Sequence, residues 1–201
     1  WYDFALGRRV SIVEYLTRVK GQAVGLVPIW LSRAQKEAVV LVWEAARAEA
    51  RAVLEGMGSA LGRFPVDLDA IVRQVGAQVK YASLEPGLSG FIVKLRDSAP
   101  RIYINADEPE VRQRFTVAHE LGHYYERMTI ADDDSFTFRD ARGEKYDLHE
   151  FYADEFAGEL LMPLDAFREH WHKDPNLNAI ARYFDVSYDA VVFRKKRLLR
   201  T

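Results

Sequence analysis

The sequence predicts an α+β fold, mainly helical, with one small three-stranded antiparallel sheet packed on a central helix. Three observations predict it. Residues 32–58 are rich in Ala, Glu, Arg and Leu, with apolar residues at helical spacing. Residues 78–105 hold three short segments rich in Val, Ile, Tyr and Phe, separated by turn residues. From Asp107 to the end the pattern is helical again.

Residues 1–31 read as an N-terminal extension. Val10 to Val19 suits a short helix, and Gly21, Gly25 and Pro28 interrupt the chain beyond it. Ser32 reads as the N-cap of a long helix reaching Gly56 or Gly58. Its apolar positions are Val39, Val42, Trp43, Ala46, Ala50, Val53, Leu54 and Met57. Beyond Gly62 and Pro65, Val66 to Val75 predicts another short helix. Strands are expected at Gln78 to Ala82, Gly90 to Leu95 and Arg101 to Asn105, divided by Pro86-Gly87 and Asp97-Ser98. An antiparallel meander is the simplest arrangement.

Asp107, Pro109 and Glu110 announce the next helix as an N-cap, a first-turn proline and an acid at N3. It should end near Met128. Residues 129–146 are polar and read as a loop containing Asp132, Asp133 and Asp134. That triplet lacks the spaced ligands and glycine of a calcium loop, so it reads as solvated. Asp147 starts a helix that Pro163 stops, and two or three short helices finish the chain. The expected organisation is an extension at 1–31, a core at 32–162 and a helical, helix-turn-helix-like segment at 163–201 packed on the core.

Composition narrows the function classes. The 201-residue chain has 49% hydrophobic residues, enough for one domain with a real core. No cysteine is present, which excludes disulfides, thiol catalysis and cysteine-ligated zinc. That absence fits a reducing cytosol, and a cytoplasmic location is expected. The net charge of −2 gives no general affinity for nucleic acid. No apolar run approaches the length of a membrane span; Gln22 to Leu31 is too short and contains Pro28. The chain begins at Trp1 rather than Met, which leaves a removed targeting segment open.

One segment carries chemistry: His119-Glu120-Leu121-Gly122-His123. On a helix, positions i and i+4 share a face, so the two imidazoles converge on one point. Glu120 between them reaches a water held there. This is the pattern of a zinc-dependent peptidase, two nitrogen ligands and a general base. Phe115, Val117, Ala118 and Leu121 make the helix apolar, so it should be buried, and buried histidines need partners. Gly122 in mid-helix costs about 1 kcal/mol against Ala, which makes sense where another backbone must approach closely.

A catalytic zinc needs a third protein ligand. The candidates are His149, Glu150, Asp154, Glu155, Glu159, His170 and His172. Glu150 and Asp154 stand one turn apart on the next predicted helix. They can serve as a ligand and as the acceptor for the far nitrogen of a ligand histidine. Glu150 can equally close a capping box begun by Asp147, and His149 is a rival ligand. Tyr124, Tyr125, Tyr146, Tyr152 and Arg142 are the possible donors to an oxyanion.

Residues 112–123, Arg-Gln-Arg-Phe-Thr-Val-Ala-His-Glu-Leu-Gly-His, are followed at 150–163 by Glu-Phe-Tyr-Ala-Asp-Glu-Phe-Ala-Gly-Glu-Leu-Leu-Met-Pro. Together these resemble the ImmA/IrrE metallopeptidases, bacterial and phage proteins that act with helix-turn-helix repressors. The resemblance covers roughly residues 36–199. It implies a zincin-like fold, zinc (with manganese as the alternative) on His119, His123 and Glu150, and Glu120 as the base. Asp154 stands where the family often has Asn. The implied substrate is a helix-turn-helix repressor, whose cleavage would relieve repression under stress or during mobile-element induction. Two other readings stand beside it. One is a non-proteolytic binding module, a toxin–antitoxin or anti-repressor partner. The other is a DNA-binding regulator using Ala179 to Arg194, where Ser187 can cap a second helix and Arg194 to Arg197 are basic. Those helices are expected to cover the core instead, and direct DNA binding is not expected. Residues 1–58 are a further candidate for docking a partner or shielding the cleft.

Overall fold

A computed structural model describes residues 2–3, 8–9, 33–58, 62–131, 135–141 and 148–198. The helix expected at Val10 to Val19, the Asp132 to Asp134 triplet, Ser32 and Asp147 lie outside the described residues. So do Arg142 and Tyr146. Within the extension, β1 (Tyr2–Asp3) and β2 (Arg8–Arg9) pair antiparallel.

Helix α1 (Arg33–Gly56) follows the predicted stripe, burying Val42, Trp43, Ala46, Ala50, Val53 and Leu54. Helix α2 (Leu68–Gln74) is capped by Asp67, whose carboxylate accepts from the Ala70 N–H at 2.9 Å.

The sheet corrects the expected three-stranded meander. It has four strands, β3 (Gln78–Ala82), β4 (Leu88–Lys94), β5 (Arg101–Asn105) and β6 (Phe136–Ala141), in the order β3-β5-β4-β6. It is mixed: β3 runs parallel to β5, while β4 is antiparallel to both β5 and β6. The β4–β5 hairpin folds back so that β5 lies between β3 and β4. Ile92, Ile102 and Ile104 are fully buried on one face. Strand β6 lies within the segment expected to be a loop. There, Phe136 and Phe138 alternate with polar residues, and Phe138 stands opposite Ile92.

Helix α3 (Glu110–Tyr125) carries the His-Glu-x-x-His. Its N-cap is Pro109 with no side-chain cap bond, not Asp107 as expected. Asp107 instead accepts from the Ser83 hydroxyl at 3.2 Å. Residues Thr116 to His123 are all buried, because the sheet and α4 (Leu148–Leu161) both pack on the helix. The contact with the sheet is close at Gly90, where a Cβ would stand 2.5 Å from Thr116 Cγ2 and 2.9 Å from the Tyr103 carbonyl oxygen. The α-helix ends at Tyr125 and passes into a π-helical turn, Glu126–Ala131, before β6. That turn too replaces the start of the expected loop.

Helix α4 lies between α1 and α3, which explains its long buried run from Tyr152 to Leu161. Pro163 then N-caps α5 (Leu164–Lys173), and α6 (Leu177–Phe184) and α7 (Tyr188–Leu198) complete the described chain. Asp185, with φ of 54°, turns the chain between α6 and α7. Helix α7 turns Val191, Arg194 and Leu198 inward. No helix among the described residues is long and apolar enough to cross a membrane.

Candidate metal centre

The packing of α3 on α4 creates the site. A Cβ on Gly122 would stand 2.8 Å from Ala153 Cα and 3.1 Å from the Ala153 carbonyl oxygen. Only glycine allows the two backbones this close. The contact lies beside His123 on α3 and among Glu150 and Asp154 on α4, so it sets the spacing between the two groups. Gly122→Ala is therefore expected to push the helices apart. It should cost about 1–3 kcal/mol in denaturant unfolding and weaken metal binding with it.

His119, His123 and Glu150 come together, with one ligand atom from each lying within 4.8 Å of the others. His119 Nε2 is 3.3 Å from Glu150 Oε2, and His123 Nε2 is 3.3 Å from Glu150 Oε1. Donor atoms held about 2.0–2.1 Å from a tetrahedral metal stand about 3.3 Å apart, so the two histidine–carboxylate separations match those of a coordination shell. The two rings meet nearly edge to face, at 84°. Both histidines are buried. Their Nε2 atoms face the Glu150 carboxylate at 3.3 Å without a well-formed hydrogen bond, and His123 Nδ1 has no hydrogen-bond partner among the described residues. Buried imidazole nitrogens left this way are costly without a ligand, so the residues present fit a metal ion.

On the far side of His119, Nδ1 lies 3.1 Å from Asp154 Oδ1. Burial opposes the charged form of His119. The Asp154 and Glu150 carboxylates outweigh burial and hold its pKa well above the ordinary imidazole value. His123 shifts the other way. Burial, reinforced by the neighbouring His119 charge, lowers its pKa, with Glu150 offsetting part of the effect. Burial raises Glu150, but its contacts with His119 and His123 win and hold it well below the usual carboxylate range. A metal taking His119 Nε2 must displace a proton, so binding strengthens as pH rises. Glu120 is fully buried and close enough for its charge to favour protonated His119.

The remaining candidates fall elsewhere. Glu155 and Glu159 are buried in ion pairs with Arg47, Arg51, Arg194 and Arg197. His170 stacks on Tyr183 at 3.6 Å, and His172 is exposed. His149 bonds Glu126 at 2.7 Å. Tyr125 and Tyr152 both pack around Phe156, and Tyr124 meets Tyr125 edge-on. Burial raises the pKa of all three tyrosines, that of Tyr125 to about 12.

Sequence reasoning missed Phe138, whose ring stacks on His123 at 4.3 Å and 2°. The signal was the Phe-Thr-Phe alternation at 136–138. It also missed Glu126, three residues beyond His123 and only 4% exposed.

The comparisons with known proteins bear on this geometry. The family model of the M78 peptidases, described as the IrrE N-terminal-like domain, matches residues 72–196. The chain belongs to this family. The match spans more than half of the chain and includes every residue of the cluster, as the resemblance to ImmA/IrrE proteins implied. Among solved structures, a Mycobacterium tuberculosis transcriptional regulator is similar at 20% identity and a TM-score of 0.54. The similarity covers 79% of this chain and 48% of that one, so this M78 member spans about half the regulator's length. At this identity the likeness is one of fold. No curated protein matches the chain.

Proposed function

We propose that the protein is a zinc-dependent endopeptidase that cleaves, and so inactivates, a helix-turn-helix transcriptional repressor in the cytoplasm. Stress or mobile-element induction is the setting in which repression would be relieved. The observation that carries the peptidase reading is the convergence of His119, His123 and Glu150 beside the buried Glu120. Two imidazoles and one carboxylate suit zinc better than manganese, which prefers oxygen ligands. The repressor as substrate rests on the family, and the fold shared with a transcriptional regulator is consistent with it.

His119, His123 and Glu150 would hold the metal, and Asp154 would fix the orientation of the His119 ring through Nδ1. When bound, zinc supplies an acidified water and polarises the scissile carbonyl. Glu120 takes the proton from the attacking water and returns it to the leaving amine nitrogen. Phe138, stacked on His123, keeps bulk water from that ring.

The test is incubation of the zinc-loaded protein with candidate helix-turn-helix repressors from the same genome, with mass spectrometry as the readout. A single new pair of termini is expected in the repressor. An intact repressor alongside full zinc occupancy would favour the binding-module reading instead.

A further inference from the structure

We propose that Glu126 and His149 form a clamp that positions the third metal ligand, Glu150. The inference rests on the metallopeptidase reading above. Helix α4 begins at Leu148, so Glu150 stands in its first turn. There the backbone N–H groups have no partner one turn back, and helix ends open more readily than helix middles. His119, by contrast, lies a turn and a half inside α3, and His123, in its last turn, is buried and followed directly by the π-helical turn Glu126–Ala131. A ligand set works only when its donors are held within about 0.5 Å of their places. The weakly held ligand therefore needs anchors, and two bonds among the described residues supply them. One turn after Glu150, Asp154 meets His119 Nδ1 at 3.1 Å. Immediately before Glu150, His149 Nδ1 donates to Glu126 Oε1 at 2.7 Å.

Glu126 makes a firm anchor. Its side chain is only 6% exposed, whereas that of His149 is 45% exposed. It begins the π-helical turn that continues directly from α3, three residues beyond His123. The clamp thus ties the first turn of α4 back to the helix that carries the other two ligands. Phe138 completes the link, stacked on His123 at 4.3 Å and tilted against His149 at 5.9 Å. Burying a carboxylate is costly. Holding His149 gives that burial a purpose.

The test uses the full chain with cobalt(II) alone as the probe, measuring affinity by chelator competition and geometry by visible d–d absorption. His149→Phe keeps a ring against Phe138 but loses the donor. It is expected to weaken cobalt binding about ten- to a hundredfold and to alter the absorption band. His149→Asn returns an N–H near the Nδ1 position and should recover most of the affinity and the band. Glu126→Gln keeps an acceptor oxygen and should lose less than His149→Phe. The double variant should be no worse than His149→Phe alone, since both changes act on the same bond. Wild-type affinity and spectrum in both His149→Phe and Glu126→Gln would overturn the clamp while leaving the metallopeptidase reading standing. A wild-type protein that binds no cobalt would overturn both.

Discussion

Glu120→Gln is expected to slow peptide-bond cleavage about a hundred- to ten-thousandfold while metal content stays at the wild-type level. Glutamine keeps the shape of glutamate in a fully buried position, so the fold of α3 should persist. The proposed metal ligands are the side chains of His119, His123 and Glu150, and the substitution touches none of them. What is lost is the proton acceptor for the attacking water. Steady-state cleavage of the repressor and elemental analysis of the same sample check both halves. Loss of metal together with activity would show that Glu120 holds the ion rather than the proton. Undiminished repressor inactivation at full metal content would show that proteolysis is not the mechanism.

Arg194→Ala is expected to destabilise the protein by about 2–4 kcal/mol, because it takes from Glu159 its most buried partner and from the Met162 carbonyl its donor. Arg194 on α7 is 2% exposed, pairs with Glu159 on α4, and donates through Nε to the Met162 carbonyl at 3.0 Å. Glu155 and Glu159 also hold Arg47 at 3.0 Å and Arg51 at 3.4 Å from α1, and Glu155 holds Arg197. Burial lowers the pKa of Arg194, offset by Glu159. Burial likewise lowers Arg47, to about 9, with repulsion from Arg194 adding to it. The cluster thus fastens α1, α4 and α7 together on the side of α4 away from Glu150 and Asp154. A shift of the urea midpoint in one cooperative transition is the expected observation. A change below about 1 kcal/mol would mean that the C-terminal helices are not tied to the core.

The parts of the fold legible in the sequence are those set by local pattern. The stripe Val42, Trp43, Ala46, Ala50, Val53 and Leu54 gave α1, and the two motif segments gave α3 and α4. Gly122 was informative because its helix penalty demanded a reason, and the reason is Ala153 at 2.8 Å. The parallel pairing of β3 with β5 was not legible, since strand order is decided by packing between distant segments. Strand β6 was hidden because two phenylalanines in a polar stretch make a weak alternation. Asp107 has the chemistry of a cap, but Ser83 engages it instead. Within the site, spacing left Glu150, His149 and a simple capping role in competition. The approach of α4 to α3 places Glu150 between the two histidines and gives His149 to Glu126. No spacing rule contains that separation, because it depends on the backbone contact at Gly122.

Every step proposed for this protein depends on His119, His123 and Glu150 holding a metal whose water Glu120 activates. Anomalous diffraction at the zinc edge, from crystals grown with zinc, locates such an ion without reference to activity. One strong peak is expected, about 2.0–2.2 Å from His119 Nε2, His123 Nε2 and a Glu150 carboxylate oxygen, with Glu120 outside the coordination shell. A peak elsewhere, or no peak among these three side chains, would contradict the assignment.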